Sequence, residues 1–219
     1  MPSLVGSEMC IRDREIMMKL YYAPGTCALA CWIALEWAQL DYEVEKVKLG
    51  SEEYLKINPL GMVPALQLDD GQIVTQAGTI LTFIAKQAPK AQLIPQDNLL
   101  AECRFNEIMD FLTGDFHPAF WPMFSPYRYT ISQDNQALEE VRQASYKRID
   151  IAMTHLDGLI GDSGHVYQDQ KTIADAYAYV MALWSQKTPK SYENYPHLAT
   201  FMAKMEEDSA VQKVLNAAH

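Results

Sequence analysis

The sequence predicts a two-part chain, an α/β half followed by an all-helical half. Three observations carry this reading. Strand-like and helix-like patterns alternate from Met18 to about Pro89, strand signals vanish after Gln92, and helical spacing with capping residues runs on to the end. The boundaries result from this: residues 18–92 form the first domain and 93–219 the second.

The first half reads in the order β-α-β-α-β-β-α. "KLYYA" is short, apolar and aromatic, a strand, and "PGT" after it is turn chemistry. In "CALACWIALEWA", Leu29, Trp32, Ile33 and Trp37 fall at helical spacing and predict one apolar face, with the helix starting at Thr26 or Cys27. "DYEVEKVKL" is a second strand. Ser51 precedes acids in "SEEYLKI" and caps a short helix that ends near Ile57, because Asn58 precedes Pro59. "ALQLDDGQIV" is a hairpin around an Asp-Gly turn, and "GTILTFIAKQA" is a helix stopped by Pro89.

The second half contains helices only. Asp97 is read as the cap of a helix over residues 98–116, with Ile108, Phe111 and Leu112 on one face. Pro118, Pro122 and Pro126 must bend or break residues 117–130. A long helix spans about Gln136 to Leu159 and closes at Gly161. "TIADAY" starts another with Thr172 and Asp175 as a capping box, so Asp175 is read as structural. "PHLATFMAKMEE" and "SAVQKVLNA" complete the set. Residues 1–17 look unlike the rest of the chain. "RDRE" stands where a signal peptide would need an apolar core, so the segment is read as a leader, an expression remnant or a misassigned start. Cys10 is set aside with it.

Composition narrows the function. The 219 residues are 49% hydrophobic, enough for a substantial core, and the formal charge of −10 repels nucleic acid and anionic membranes without a basic patch to override it. No run approaches the ~20 apolar residues of a membrane span. Cys10, Cys27, Cys31 and Cys103 show neither disulfide nor zinc-ligand spacing, which fits a reducing cytoplasm and no metal.

Three places could carry chemistry. A helix beginning at Cys27 would point free N–H groups at its sulfur, and that end of the helix dipole favours a thiolate. Spacing alone leaves a second reading, an inert small residue in a corner, which is also the reading of Cys31. Pro64 in "GMVPAL" opens a strand. A cis bond before it would expose the backbone of Val63 to an extended peptide, whereas a trans bond would make it an ordinary strand start. Gln76 and Ala77 precede a helix whose first N–H groups could hold a carboxylate, unless Gln76 is simply a loop residue. His117, beside Phe116 and before Pro118, reads by itself as a residue that caps or fills a helix end. The aromatics of "FHPAFWPMFSPYRY" either line a hydrophobic pocket or pack in the core.

"MKLYYAPGTCALA", "INPLGMVPAL", "DDGQIVTQAGTI" and "TIADAY", in this order, resemble the cytosolic glutathione transferase family, most closely its bacterial beta class. The resemblance covers residues 18–219. It implies a thioredoxin-like N-terminal domain, an all-α C-terminal domain carrying a hydrophobic co-substrate site, a homodimer, and glutathione as co-substrate. It places Cys27 against the glutathione sulfur, Tyr22 on the first strand, and His117 near the thiol, these three as catalytic residues. It gives the cysteinyl clamp to Val63 and Pro64 and the γ-glutamyl carboxylate to Gln76 and Ala77. Asp110 would reach the γ-glutamyl amine of the neighbouring subunit. Two departures stand out. Ala77 lacks the serine hydroxyl of many relatives, a loss of roughly 0.5–1.5 kcal/mol in glutathione binding, and Pro118 replaces a lysine found in some. The activity implied is conjugation of glutathione to hydrophobic electrophiles. Thiol–disulfide exchange through Cys27, or a binding module without catalysis, are the alternatives.

Overall fold

The structure, a computed structural model, describes residues 17–219; the reading of residues 1–17 as a leader therefore falls, but for Met17, outside the described residues. The first half contains β1 (Met18–Tyr22), α1 (Ala28–Ala38), β2 (Tyr42–Lys46), α2 (Glu52–Leu55), β3 (Ala65–Gln67), β4 (Ile73–Thr75) and α3 (Ala77–Gln87). This is the predicted order. The sheet runs β2-β1-β3-β4. β1 and β2 are parallel, with Leu20 opposite Val44, and α1 makes the crossover. β3 lies antiparallel to both β1 and β4, which places Leu66 opposite Leu20 and Val74.

Local chemistry accounts for the ends of these elements. Gly25 takes a left-handed φ of 69° in the turn after β1. The Ser51 hydroxyl accepts the Tyr54 amide at 3.3 Å, as an N-cap should. Gly71 closes the hairpin with φ 84°.

Helix α1 differs from expectation. It is not amphipathic but buried nearly all round, from Ala28 through Leu35. The sheet and α3 cover part of its surface, and helices of the second half cover the rest, so no face remains for water. Trp37, expected on the apolar face, is only partly buried, and its indole N–H donates to Asp208 at 3.0 Å.

The second half contains α4 (Leu99–Asp110), α5 (His117–Ala119), α6 (Trp121–Phe124), α7 (Asn135–Ile160), α8 (Ile173–Leu183), α9 (Pro196–Glu206) and α10 (Ser209–Ala217). Two details depart from the sequence reading. The cap of α4 is Asn98, whose side-chain oxygen accepts the amides of Leu100 and Ala101 at 3.0 and 3.1 Å, rather than Asp97. The helix expected over 98–116 also changes character at Phe111, where a π-helical turn runs to Phe116. Pro118 has no N–H to continue an α ladder, and the His117 amide reaches back five residues to the Leu112 carbonyl. The buried row is therefore Phe105, Met109, Leu112 and Phe116, with Ile108 and Phe111 only partly covered.

The three prolines break residues 117–130 as expected, each opening a short helical piece. Only the Asp175 half of the capping box at α8 forms, and the buried Thr172 hydroxyl has no hydrogen-bond partner among the described residues. The Asp175 carboxylate is fully buried and accepts the amides of Thr172 (2.9 Å) and Val166 (2.7 Å), which confirms its structural role. One apolar cluster runs through both halves. Among the described residues, no helix is long and apolar enough to cross a membrane.

Candidate active site

A cavity of about 850 Å³ is walled on one side by the C-terminal end of the βαβ unit and on the other by α3, α4, the π turn and α8. Of the eight residues singled out from the sequence, seven line it: Cys27, Val63, Pro64, Gln76, Ala77, Asp110 and His117. The eighth, Tyr22, is buried beside Trp32, with ring centroids 4.9 Å apart, and is not part of the lining. The expectation of a catalytic Tyr22 has no contact with this cavity behind it.

Cys27 is the residue immediately before α1. Its thiol lies 3.5 Å from the Val63 carbonyl, which it meets as a donor. Burial pushes the thiol up to about 12, against only a small opposing contribution from the backbone. The helix terminus thus fails to lower this pKa, contrary to the sequence reading: losing water costs the anion more than the partial charge of one helix end returns. Cys31 is fully buried, with its thiol toward the Ala77 carbonyl at 3.7 Å, a core residue as expected.

The Val63–Pro64 bond is cis. The loop before it is held from outside: the Tyr54 hydroxyl and the Asn58 amide both donate to the Met62 carbonyl, at 2.8 and 2.7 Å. Val63 thereby presents its backbone beside Cys27.

Gln76 sits at the start of α3 with φ 72° and ψ 120°, a backbone that L residues rarely adopt, and its side chain is exposed. No side chain caps α3, so its first amides, at Ala77, Gly78 and Thr79, border the cavity as a site for an anion. Gly78 lets the π turn approach closely, since a Cβ there would meet Thr113 at 3.0 Å. The lining holds one carboxylate, Asp110, and one lysine, Lys86.

His117 closes the far wall. Its Nδ1 is 2.5 Å from the Tyr177 hydroxyl, and the rings of Trp121 and Trp184 lie edge-on at 5.6 and 5.0 Å. Burial pulls the imidazole down to about 4, so it is neutral at neutral pH. Trp121, from the aromatic stretch after His117, also reaches the lining, whereas Phe120 beside it is core. Tyr177, the last residue of the "TIADAY" stretch, borders the cavity too, although the sequence assigns it no role. It stands among small residues in "IADAYAYV", and no periodicity separates it from its buried neighbours.

A second cavity, about 900 Å³, is bordered by Glu36, Lys171, Asp208 and Lys213. Their charges are already paired, Lys213 with Glu36 at 2.6 Å and Lys171 with Asp208 at 3.3 Å, which leaves little for a ligand. Among the described residues, no group of three or more His, Cys, Asp or Glu is placed to hold a metal ion.

Comparison with known proteins agrees with this geometry. Residues 25–87 match the N-terminal domain of glutathione S-transferases and residues 108–208 the C-terminal domain. A glutathione S-transferase of Xanthomonas campestris pv. campestris is 31% identical over 203 residues, covering 91% of this chain and 98% of the relative. The solved beta class glutathione S-transferase of Sphingomonas chungbukensis is 31% identical, with TM-score 0.80 over 91% of this chain and 98% of its own. A glutathione transferase homologue from Sulfitobacter, solved with bound glutathione, is 29% identical, with TM-score 0.84 over 92% of this chain and 98% of its own.

Proposed function

The chain belongs to the glutathione S-transferase family, and from that premise we propose that it conjugates glutathione to small hydrophobic electrophiles, a bond from the glutathione sulfur to the electrophile forming as the thiol proton and any leaving group depart. The observation that carries the reading is a single cavity that gathers an uncapped helix start, a backbone edge at Val63, a thiol and a neutral imidazole. The γ-glutamyl carboxylate is assigned to the first amides of α3 with Gln76, where the helix dipole favours negative charge. The cysteinyl backbone is assigned to Val63 beside Pro64. This sets the glutathione sulfur toward Cys27 and His117. Cys27, kept protonated by burial, and His117, kept neutral, act as hydrogen-bond partners of a sulfur that carries charge as it ionises. The electrophile docks against the aromatic surface around Trp121, and holding both reactants in one cavity supplies much of the acceleration.

The residue range 18–92 is assigned the glutathione site and 93–219 the co-substrate site. A homodimer is proposed, with Asp110, exposed at the cavity wall, reaching across to the neighbouring site. A cytoplasmic role in detoxification accords with free thiols at Cys27 and Cys31.

Disulfide exchange through Cys27 is the second reading, favoured by the presence of a thiol in the cavity. A thiol pushed up to about 12 is a poor resting nucleophile, which weighs toward conjugation. The deciding experiment pairs the wild type with Cys27→Ala. Conjugation is followed as thioether formation with an activated aryl halide, and exchange as a glutathione adduct in the intact mass after exposure to oxidised glutathione. Conjugation that survives the substitution supports the proposal. No turnover of any electrophile, with no glutathione binding by calorimetry, overturns it.

A further inference from the structure

We propose that Tyr177 is a positioning residue: its hydroxyl donates to Nδ1 of His117 and locks the ring in the tautomer that carries its proton on Nε2. The catalytic consequence rests on the transferase reading, though the tautomer itself does not.

Hydrogen-bond supply decides the direction. Tyr177 lies on α8, is 2% exposed, and borders the cavity together with Cys27 and His117. Among the described residues, the only partner of its hydroxyl is Nδ1 of His117, at 2.5 Å. A buried phenol has one proton to place, and a neutral imidazole has one N–H and one bare nitrogen. If Nδ1 carried the proton and donated to the tyrosine oxygen, the phenol proton would be left without an acceptor in a buried site, which native structures rarely tolerate. If the phenol donates, both groups are satisfied. The ionised alternative, phenolate with imidazolium, is opposed on both sides: burial raises the Tyr177 pKa and lowers that of His117 to about 4.

The consequence is directional. With Nδ1 occupied as an acceptor, Nε2–H is the one donor the ring retains, and it has no partner among the described residues. A sulfur in the cavity then meets a hydrogen-bond donor. In the other tautomer it would meet a lone pair and be repelled as it ionised. The fold prepares this pairing. The π turn that sets His117 and the capped N-terminus of α8 that sets Tyr177 bring together two residues 60 positions apart.

The test uses Tyr177→Phe, which removes one oxygen, with ¹⁵N-labelled histidine and NMR. His117→Ala assigns the His117 resonances by their loss. In the wild type, His117 should show protonated Nε2 and bare Nδ1, and in Tyr177→Phe a mixture of tautomers. Conjugation by Tyr177→Phe should fall roughly two- to ten-fold, the weight of one hydrogen bond, in kcat more than in KM. In the His117→Ala background the same substitution should cost nothing further, since Tyr177 acts through the imidazole. A wild-type His117 protonated on Nδ1, an unchanged tautomer in Tyr177→Phe, or an equal loss in the His117→Ala background would each overturn the proposal. If the wild type proves unable to conjugate glutathione, the transferase reading falls, while the wild-type spectrum still decides the tautomer.

Discussion

Cys27 and His117 border one cavity, and burial drives their pKa values in opposite directions, both toward the uncharged form: the thiol from 9.0 up to about 12, the imidazole from 6.5 down to about 4. Each shift is also a statement about stability. Below 6.5 the unfolded chain gains a proton on this histidine that the folded chain refuses until about 4, so stability falls as pH falls through that window. Above 9.0 the unfolded chain releases a thiol proton that the folded chain retains until about 12, so stability falls as pH rises there. Equilibrium urea unfolding at a series of pH values should show both limbs. His117→Asn should flatten the acid limb by up to about one proton per chain; an acid limb of equal slope in that variant would move the effect to other groups. The two residues were visible in the sequence as candidates. The pKa directions were not, since a shift depends on the water removed by elements distant in the chain.

Gln76 shows the same division within one element. The start of α3 was legible from Gln76 and Ala77, and Pro89 marked its end. The left-handed φ of 72° was not legible, since glutamine has no preference for that region. Such a backbone costs of order 1–3 kcal/mol, held in place by the surrounding structure. Gln76→Gly should release that strain and, after the larger backbone entropy of glycine in the unfolded chain is deducted, leave stability equal or higher by up to about 2.5 kcal/mol. The same variant should bind glutathione more weakly, having lost the side chain at the carboxylate site. Urea midpoints and calorimetric titration separate the two effects. A drop in stability would show that the side chain, not the backbone, sets the conformation. The π turn after Asp110 is the second case. Pro118 announced a break, but the register in which Leu112 and Phe116 remain buried while His117 turns to the cavity depends on the helices packed around it.

At the scale of the whole molecule, α1 joins the two halves. Its buried surface is shared between the sheet and α3 on one side and α8 and α10 on the other. The Trp184 indole adds a link, donating to the Gly25 carbonyl at 2.8 Å, in the turn just before Cys27. The halves should therefore unfold together, in one calorimetric transition. Residues 18–92 expressed alone would leave the α8- and α10-facing surface of α1 bare to water and should show no cooperative melt. A fragment that melts sharply would mean that the first half folds without its partner.

The sequence by itself determined the order of the strands and helices, apart from the π turn, the capping at Ser51 and Asp175, and, through the family resemblance of its motifs, seven of the residues that meet in the cavity. Turns, caps and periodicities act within a few residues, so short stretches of sequence contain them in full. The tertiary structure alone decided that α1 has no exposed face, that Tyr22 stays off the cavity, that Cys27 rests as a thiol, and that Tyr177 meets His117. Those outcomes depend on which distant surfaces exclude water from which groups, and that is a property of the packed chain.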